Sequence, residues 1–185
     1  EKTGRVDARL LEAIGLPVGT TCSGCFDKVF DPDEGTHFDF ALEEPDGLKV
    51  FFVCKPEEQV FGVCADDAPH REKLERHYRR YLAEHVDALW LEDAAFFEHY
   101  EILRNVSYLG RYRESGLVFI YPKANQALAE AENAIKRIVS KSLAPRVAIL
   151  YLEYLAARLL TLTEGDVALD ERYLRFRDKY VQPPP

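Results

Sequence analysis

The 185-residue chain sets 24 Lys and Arg against 32 Asp and Glu, a net charge of −8, with 47% hydrophobic and 12% aromatic residues. That length and apolar content suit one domain with a real core, and the acidic balance excludes a protein held on nucleic acid by bulk positive charge. No apolar run approaches the ~20 residues of a membrane-spanning helix.

The chain opens at Glu1 and holds no methionine; no signal peptide is read, and upstream residues are expected to have been removed. Four cysteines without secretory signs read as reduced thiols, in a cytoplasmic protein.

The elements follow from periodicity and punctuation. Leu10, Leu11 and Ile14 predict a short helix over 6–14, stopped by Gly15-Leu16-Pro17. Residues 18–36 read as irregular, with a short strand at 26–30. Residues 37–43 alternate as a strand, with Phe38, Phe40 and Leu42 on one face and Asp39, Ala41 and Glu43 on the other. Glu44-Pro45-Asp46-Gly47 is a hairpin turn. The returning strand, 49–55, puts Phe51, Val53 and Lys55 on one face and Val50, Phe52 and Cys54 on the other.

Helices are predicted over 66–86 and 93–109, then a buried strand at 117–121 stopped by Pro122. An amphipathic helix over 127–140, a strand at 146–150 and helices over 153–160 and 170–180 complete the chain. Pro183-Pro184-Pro185 is a tail. Strands mixed with crossover helices predict a single α/β domain over 1–182, a mixed central sheet flanked by helices.

Asp39 on one strand and Lys55 on its neighbour carry the chemistry. A carboxylate can hold Mg²⁺ or Mn²⁺, and a lysine on the same face can place a water or offset developing charge. Asp39, a gap of 13 residues, then Val53-Cys54-Lys55 resembles the motif of the PD-(D/E)XK nuclease superfamily. The aromatic pair Phe51-Phe52 and the stretch ending Phe61-Gly62 resemble a bacterial family of restriction endonucleases within it. So do the Asp67–Lys73 helix opening, Leu103–Leu109, Phe119–Asn125 and Phe176–Tyr180.

The resemblance covers roughly 37–180. It implies a PD-(D/E)XK-like fold, a metal-dependent DNA endonuclease (a hydrolase), Asp39 as first metal acid and Lys55 as catalytic lysine. Val53 stands where the family has its second acid. An impaired nuclease, or an inactive nuclease-fold binding or structural module, is the alternative expectation.

Glu43, on the Asp39 face, and Glu12, on the first helix, are further candidate metal ligands. Arg104 and Asn105 read equally as phosphate contacts from the second helix or as residues that cap or brace the sheet, and Lys123 is a further candidate nucleic-acid contact. Asp39 also reads as an ordinary strand acid paired to His37 or Lys55. Cys22-x-x-Cys25 with Cys54 and Cys64 could form a thiolate cluster, but the spacings match no standard finger, so Zn²⁺ or an iron–sulfur cluster is not expected. DNA is the expected partner, a membrane is not, and a homodimer stays open.

Overall fold

A computed structural model describes residues 3–5, 12, 22–140, 142–163 and 165–181. Six strands form one sheet in sequential order: β1 (Thr3–Arg5), β2 (Ser23–Val29), β3 (His37–Glu43), β4 (Lys49–Cys54), β5 (Ser115–Tyr121) and β6 (Val147–Tyr151). The pairs β1–β2, β2–β3 and β3–β4 are antiparallel, while β4–β5 and β5–β6 are parallel. A parallel pair needs a crossover, and helices supply both crossovers here. The architecture is a mixed sheet flanked by helices, an α/β fold compatible with a PD-(D/E)XK-like core. The helix expected over 6–14 lies outside the described residues except for Glu12, and so does the 183–185 tail.

The crossover from β4 to β5 holds α1 (Ala68–Lys73), a π-turn (Leu74–Tyr78), α2 (Arg79–Leu82), a 3₁₀ turn (Ala88–Leu91), α3 (Asp93–Glu98) and α4 (Tyr100–Arg111). Asp67 caps α1 by accepting from the His70 N–H. The helix expected over 66–86 is interrupted by the π-turn, where Arg79 N–H donates to the Leu74 carbonyl. The wider turn lets Leu74, Tyr78 and Leu82, four residues apart, all face inward and be buried. Gly110 lets α4 press against α2, since a Cβ there would lie 2.0 Å from the Tyr81 carbonyl oxygen.

The second crossover is α5 (Gln126–Ile138), and α6 (Leu152–Thr161) and α7 (Val167–Tyr180) follow β6. The two sheet faces carry two cores. Phe51, Val53, Leu117, Phe119 and Tyr121 pack with α4 and α5 residues on one side. Val50, Phe52, Val118 and Ile120 pack with Leu152, Leu155 and Leu159 on the other. No helix among the described residues is long and apolar enough to cross a membrane.

Two sequence expectations are corrected. Residues 18–36 are expected to be irregular apart from a short strand at 26–30, but the strand is longer and starts earlier, at Ser23–Val29. Its Gly, Asp and Lys residues hide it from an alternation test. On β3, Phe38 does not share a face with Phe40 and Leu42. It stacks on Phe51 at 4.6 Å in the first core, while Phe40 and Leu42 lie in the second. The alternation breaks at Asp39, opposite Asp27, whose φ of 52° is left-handed.

Candidate active site

At the break, Asp39 Oδ2 accepts a hydrogen bond of 2.7 Å from the Cys54 backbone N–H. The β3–β4 register would give that N–H to the Phe38 carbonyl, so the Asp39 carboxylate stands in for a ladder acceptor. On its other side β4 keeps its ladder, with Lys55 N–H donating to the Ile120 carbonyl at 2.7 Å. Asp39 is exposed at this end of the sheet. His37 pairs with Asp27 at 2.7 Å, not with Asp39.

Lys55 reaches to α4. Its Nζ lies 2.9 Å from Glu101 Oε1 and 5.8 Å from the centre of the Phe61 ring. Glu101 is a site residue that sequence reasoning missed. It reaches Lys55 because the helix expected over 93–109 is broken at His99 into α3 and α4. Glu101 N–H would bond the Phe97 carbonyl in an unbroken helix. Instead it donates to the Gly62 carbonyl at 3.0 Å, and Cys64 N–H donates to Phe97 at 3.1 Å. The 62–64 segment thus inserts into the helical ladder. Gly62 N–H also donates to Glu101 Oε2 at 2.5 Å, and a Cβ on Gly62 would lie 3.2 Å from that oxygen. Only the Phe-Gly dipeptide hinted at this contact in sequence.

Val53 is 4% exposed and belongs to the first apolar core, paired in register with Phe119. It offers no ligand atom. Glu43 lies four residues from Asp39, roughly 13 Å along the strand. It pairs with Lys49 at 2.8 Å and Lys28 at 3.7 Å, so the expectation that it joins Asp39 on one ion is corrected. Glu12 faces Arg158 of α6 at 3.8 Å.

Among the described residues, no three His, Cys, Asp or Glu side chains converge as a metal cluster. Asp39 suits a hard cation such as Mg²⁺, being an exposed carboxylate with one oxygen on a backbone N–H. Glu101 suits it only by exchanging Lys55 for the ion, because both its oxygens are engaged.

The other candidates are scattered. Asn105 is 1% exposed, so the expected contact with a phosphate on the surface is corrected. Arg104 is half-buried, its guanidinium 5.4 Å from the Tyr100 ring centre. Lys123 is exposed beside the site, and its backbone N–H donates to Glu153 at 2.9 Å.

The cysteines do not gather: Cys22 and Cys54 lie with one core and Cys64 with the other. Burial, then the charges of Asp39 and Glu58, pushes the Cys54 thiol up to about 12, so it is a thiol and not a thiolate at neutral pH. Beside the centre, a groove of about 500 Å³ runs between Pro56, Glu57, Asn125, Gln126, Lys179 and Tyr180. It opens at the carboxyl ends of the parallel strands β4 and β5.

Asp39 and Lys55 thus lie at the ends of adjoining strands, with the Glu101 carboxylate on the lysine. A family model described as "Restriction Endonuclease associating with ARP" matches residues 26–181. The chain belongs to that restriction endonuclease family. The match runs from within β2 to the residue after α7, so it takes in Asp39, Lys55 and Glu101 together. No curated protein and no solved structure matches the chain.

Proposed function

We propose that this protein is a metal-dependent DNA endonuclease of the PD-(D/E)XK type in which Glu101, delivered by α4, supplies the acid that Val53 does not. The observation that carries the reading is the Lys55–Glu101 contact of 2.9 Å at the end of β4, the strand whose Cys54 N–H also holds the Asp39 carboxylate. Asp39 and Glu101 would hold Mg²⁺ or Mn²⁺, which when bound brings positive charge to the scissile phosphate and lowers the pKa of its water.

Lys55, freed from Glu101, offers its N–H donors to the charge developing on the phosphate. Gly62 N–H keeps Glu101 Oε2 in place during that exchange. Asp39 is fixed by the Cys54 N–H, so its carboxylate stays at the strand end without a second side chain to orient it. Lys123, exposed at the β5 end, and the neighbouring groove give the nucleic acid a local contact despite the net charge of −8. The association with ARP carried by the family description is proposed for this chain as well.

The second reading is a nuclease-fold binding module without catalysis. The burial of Val53 at 4% exposure in an apolar core favours it. One experiment separates the two: incubate supercoiled plasmid DNA with the protein in Mg²⁺ or Mn²⁺, beside Asp39→Ala and Glu101→Gln. Slow cleavage lost in both variants supports the nuclease centre. Cleavage that survives both puts the chemistry elsewhere, and DNA binding without cleavage selects the module.

A further inference from the structure

Asn105 is 1% exposed, and neither its amide nitrogen nor its amide oxygen has a hydrogen-bond partner. Buried amides are almost always satisfied, so this one calls for a reason. Its position supplies one. Glu101, Asn105 and Tyr108 fall at i, i+4 and i+7, on one face of α4. The facing strand presents Phe51, Val53 and Lys55 at period two.

The ends of the two rows are in contact. Glu101 meets Lys55 at 2.9 Å, and the Tyr108 ring lies 5.5 Å from the Phe51 ring between centroids. Seven helical residues rise about 10 Å and four strand residues about 13 Å. By this spacing the middle members, Asn105 and Val53, fall between the two contacting ends. Both are buried.

We infer that Asn105 and position 53 form one buried polar seat, in which the Asn105 amide is the hydrogen-bond partner for a polar side chain entering from β4 at position 53. The valine fills that seat with an apolar group and leaves the amide unpaired. Asn105 sits one helical turn after Glu101 on α4. The inference rests on the nuclease reading only for the purpose of the seat; the seat itself rests on packing.

A thermodynamic cycle tests it without any activity. Val53→Thr keeps the shape of the side chain and adds one hydroxyl, so it is expected to fold. Asn105→Leu keeps the branched skeleton and removes the amide. Urea denaturation of the parent, the two single variants and the double variant gives four folding equilibrium constants. Asn105→Leu alone is expected to raise the folding constant about fivefold, because it removes an unpaired buried amide. Val53→Thr is expected to cost about tenfold less beside Asn105 than beside Leu at 105, because only the amide can pair the hydroxyl.

A cycle additive to within about twofold overturns the inference. So does an Asn105→Leu protein about tenfold less folded than the parent, since the amide would then have a partner of its own. If cleavage is absent but the cycle shows coupling, the nuclease reading fails and the seat stands.

Discussion

Lys55 Nζ lies 2.9 Å from Glu101 Oε1, and the two side chains are only 16% and 12% exposed. Removing one member of so buried a pair strands the other charge. Lys55→Met is therefore expected to cost about 3 kcal/mol, with the double variant Lys55→Met/Glu101→Leu costing less than the single. Urea midpoints of the four proteins check this. If the single and double variants lose the same amount, the pair is not coupled in the folded state.

Position 53 gives the second prediction. Val53→Glu brings a carboxylate into the apolar core, and its stability in EDTA should fall by about 2 kcal/mol. Pairing with the Asn105 amide should keep the loss from being larger. Mn²⁺ or Mg²⁺ should restore part of the loss, because an ion that binds only the folded state draws the equilibrium toward it. The measurement is the melting temperature of parent and variant with and without metal. A variant that gains no more from metal than the parent would mark the centre as a remnant and favour the binding module.

Glu34 provides a pH prediction. The residue is 2% exposed; burial pushes its carboxyl up, but hydrogen bonds from Thr36, Tyr78 and Tyr108 outweigh this and hold it below the ordinary value of 4.5. A carboxyl with a lowered folded pKa stabilises fully above its unfolded value. That contribution is lost as pH falls from about 4.5 through the folded pKa. Glu34→Gln should cost about 3 kcal/mol at about pH 7, and its loss of stability between about pH 5 and about pH 3 should be shallower than the parent's. Equal acid slopes for the two proteins would count against this account.

Gly110→Ala should destabilise the protein by more than about 2 kcal/mol, since helix and backbone must part to admit the methyl group. The atom in the way is the Tyr81 carbonyl oxygen, at 2.0 Å. A thermal melt of the variant settles it; an unchanged midpoint would mean α2 and α4 do not pack this closely.

Cys54 should resist alkylation in the native protein at pH 8, because its thiol is pushed up to about 12 by burial and by Asp39 and Glu58. Asp39→Asn should speed the reaction modestly by removing one negative charge. Peptide mapping after iodoacetamide treatment reads the rate. Rapid labelling of Cys54 in the folded parent would show that the strand end is open.

The strands at 37–43, 49–55 and 117–121 and the hairpin at Asp46-Gly47 were legible because alternation and turn chemistry are local. The β3 alternation failed at Asp39 because its side chain replaced the Phe38 carbonyl as acceptor for the Cys54 N–H of β4, a contact between strands that no local pattern records. Glu101 was invisible for the same kind of reason. Its partner Gly62 is 39 residues away, and their contact breaks a helix that periodicity joins.

By itself, the sequence determined the alternating strands and the amphipathic helices, and put Asp39, Val53 and Lys55 on two neighbouring strands and their ends. These follow from side-chain period and composition, which depend only on near neighbours. Only the tertiary structure decided what surrounds them: the Glu101 carboxylate on Lys55, the core around Val53 and the unpaired, buried amide of Asn105 on α4. Those arise where α4 is pressed onto β4. Long-range packing, not local propensity, chooses which side chains meet there.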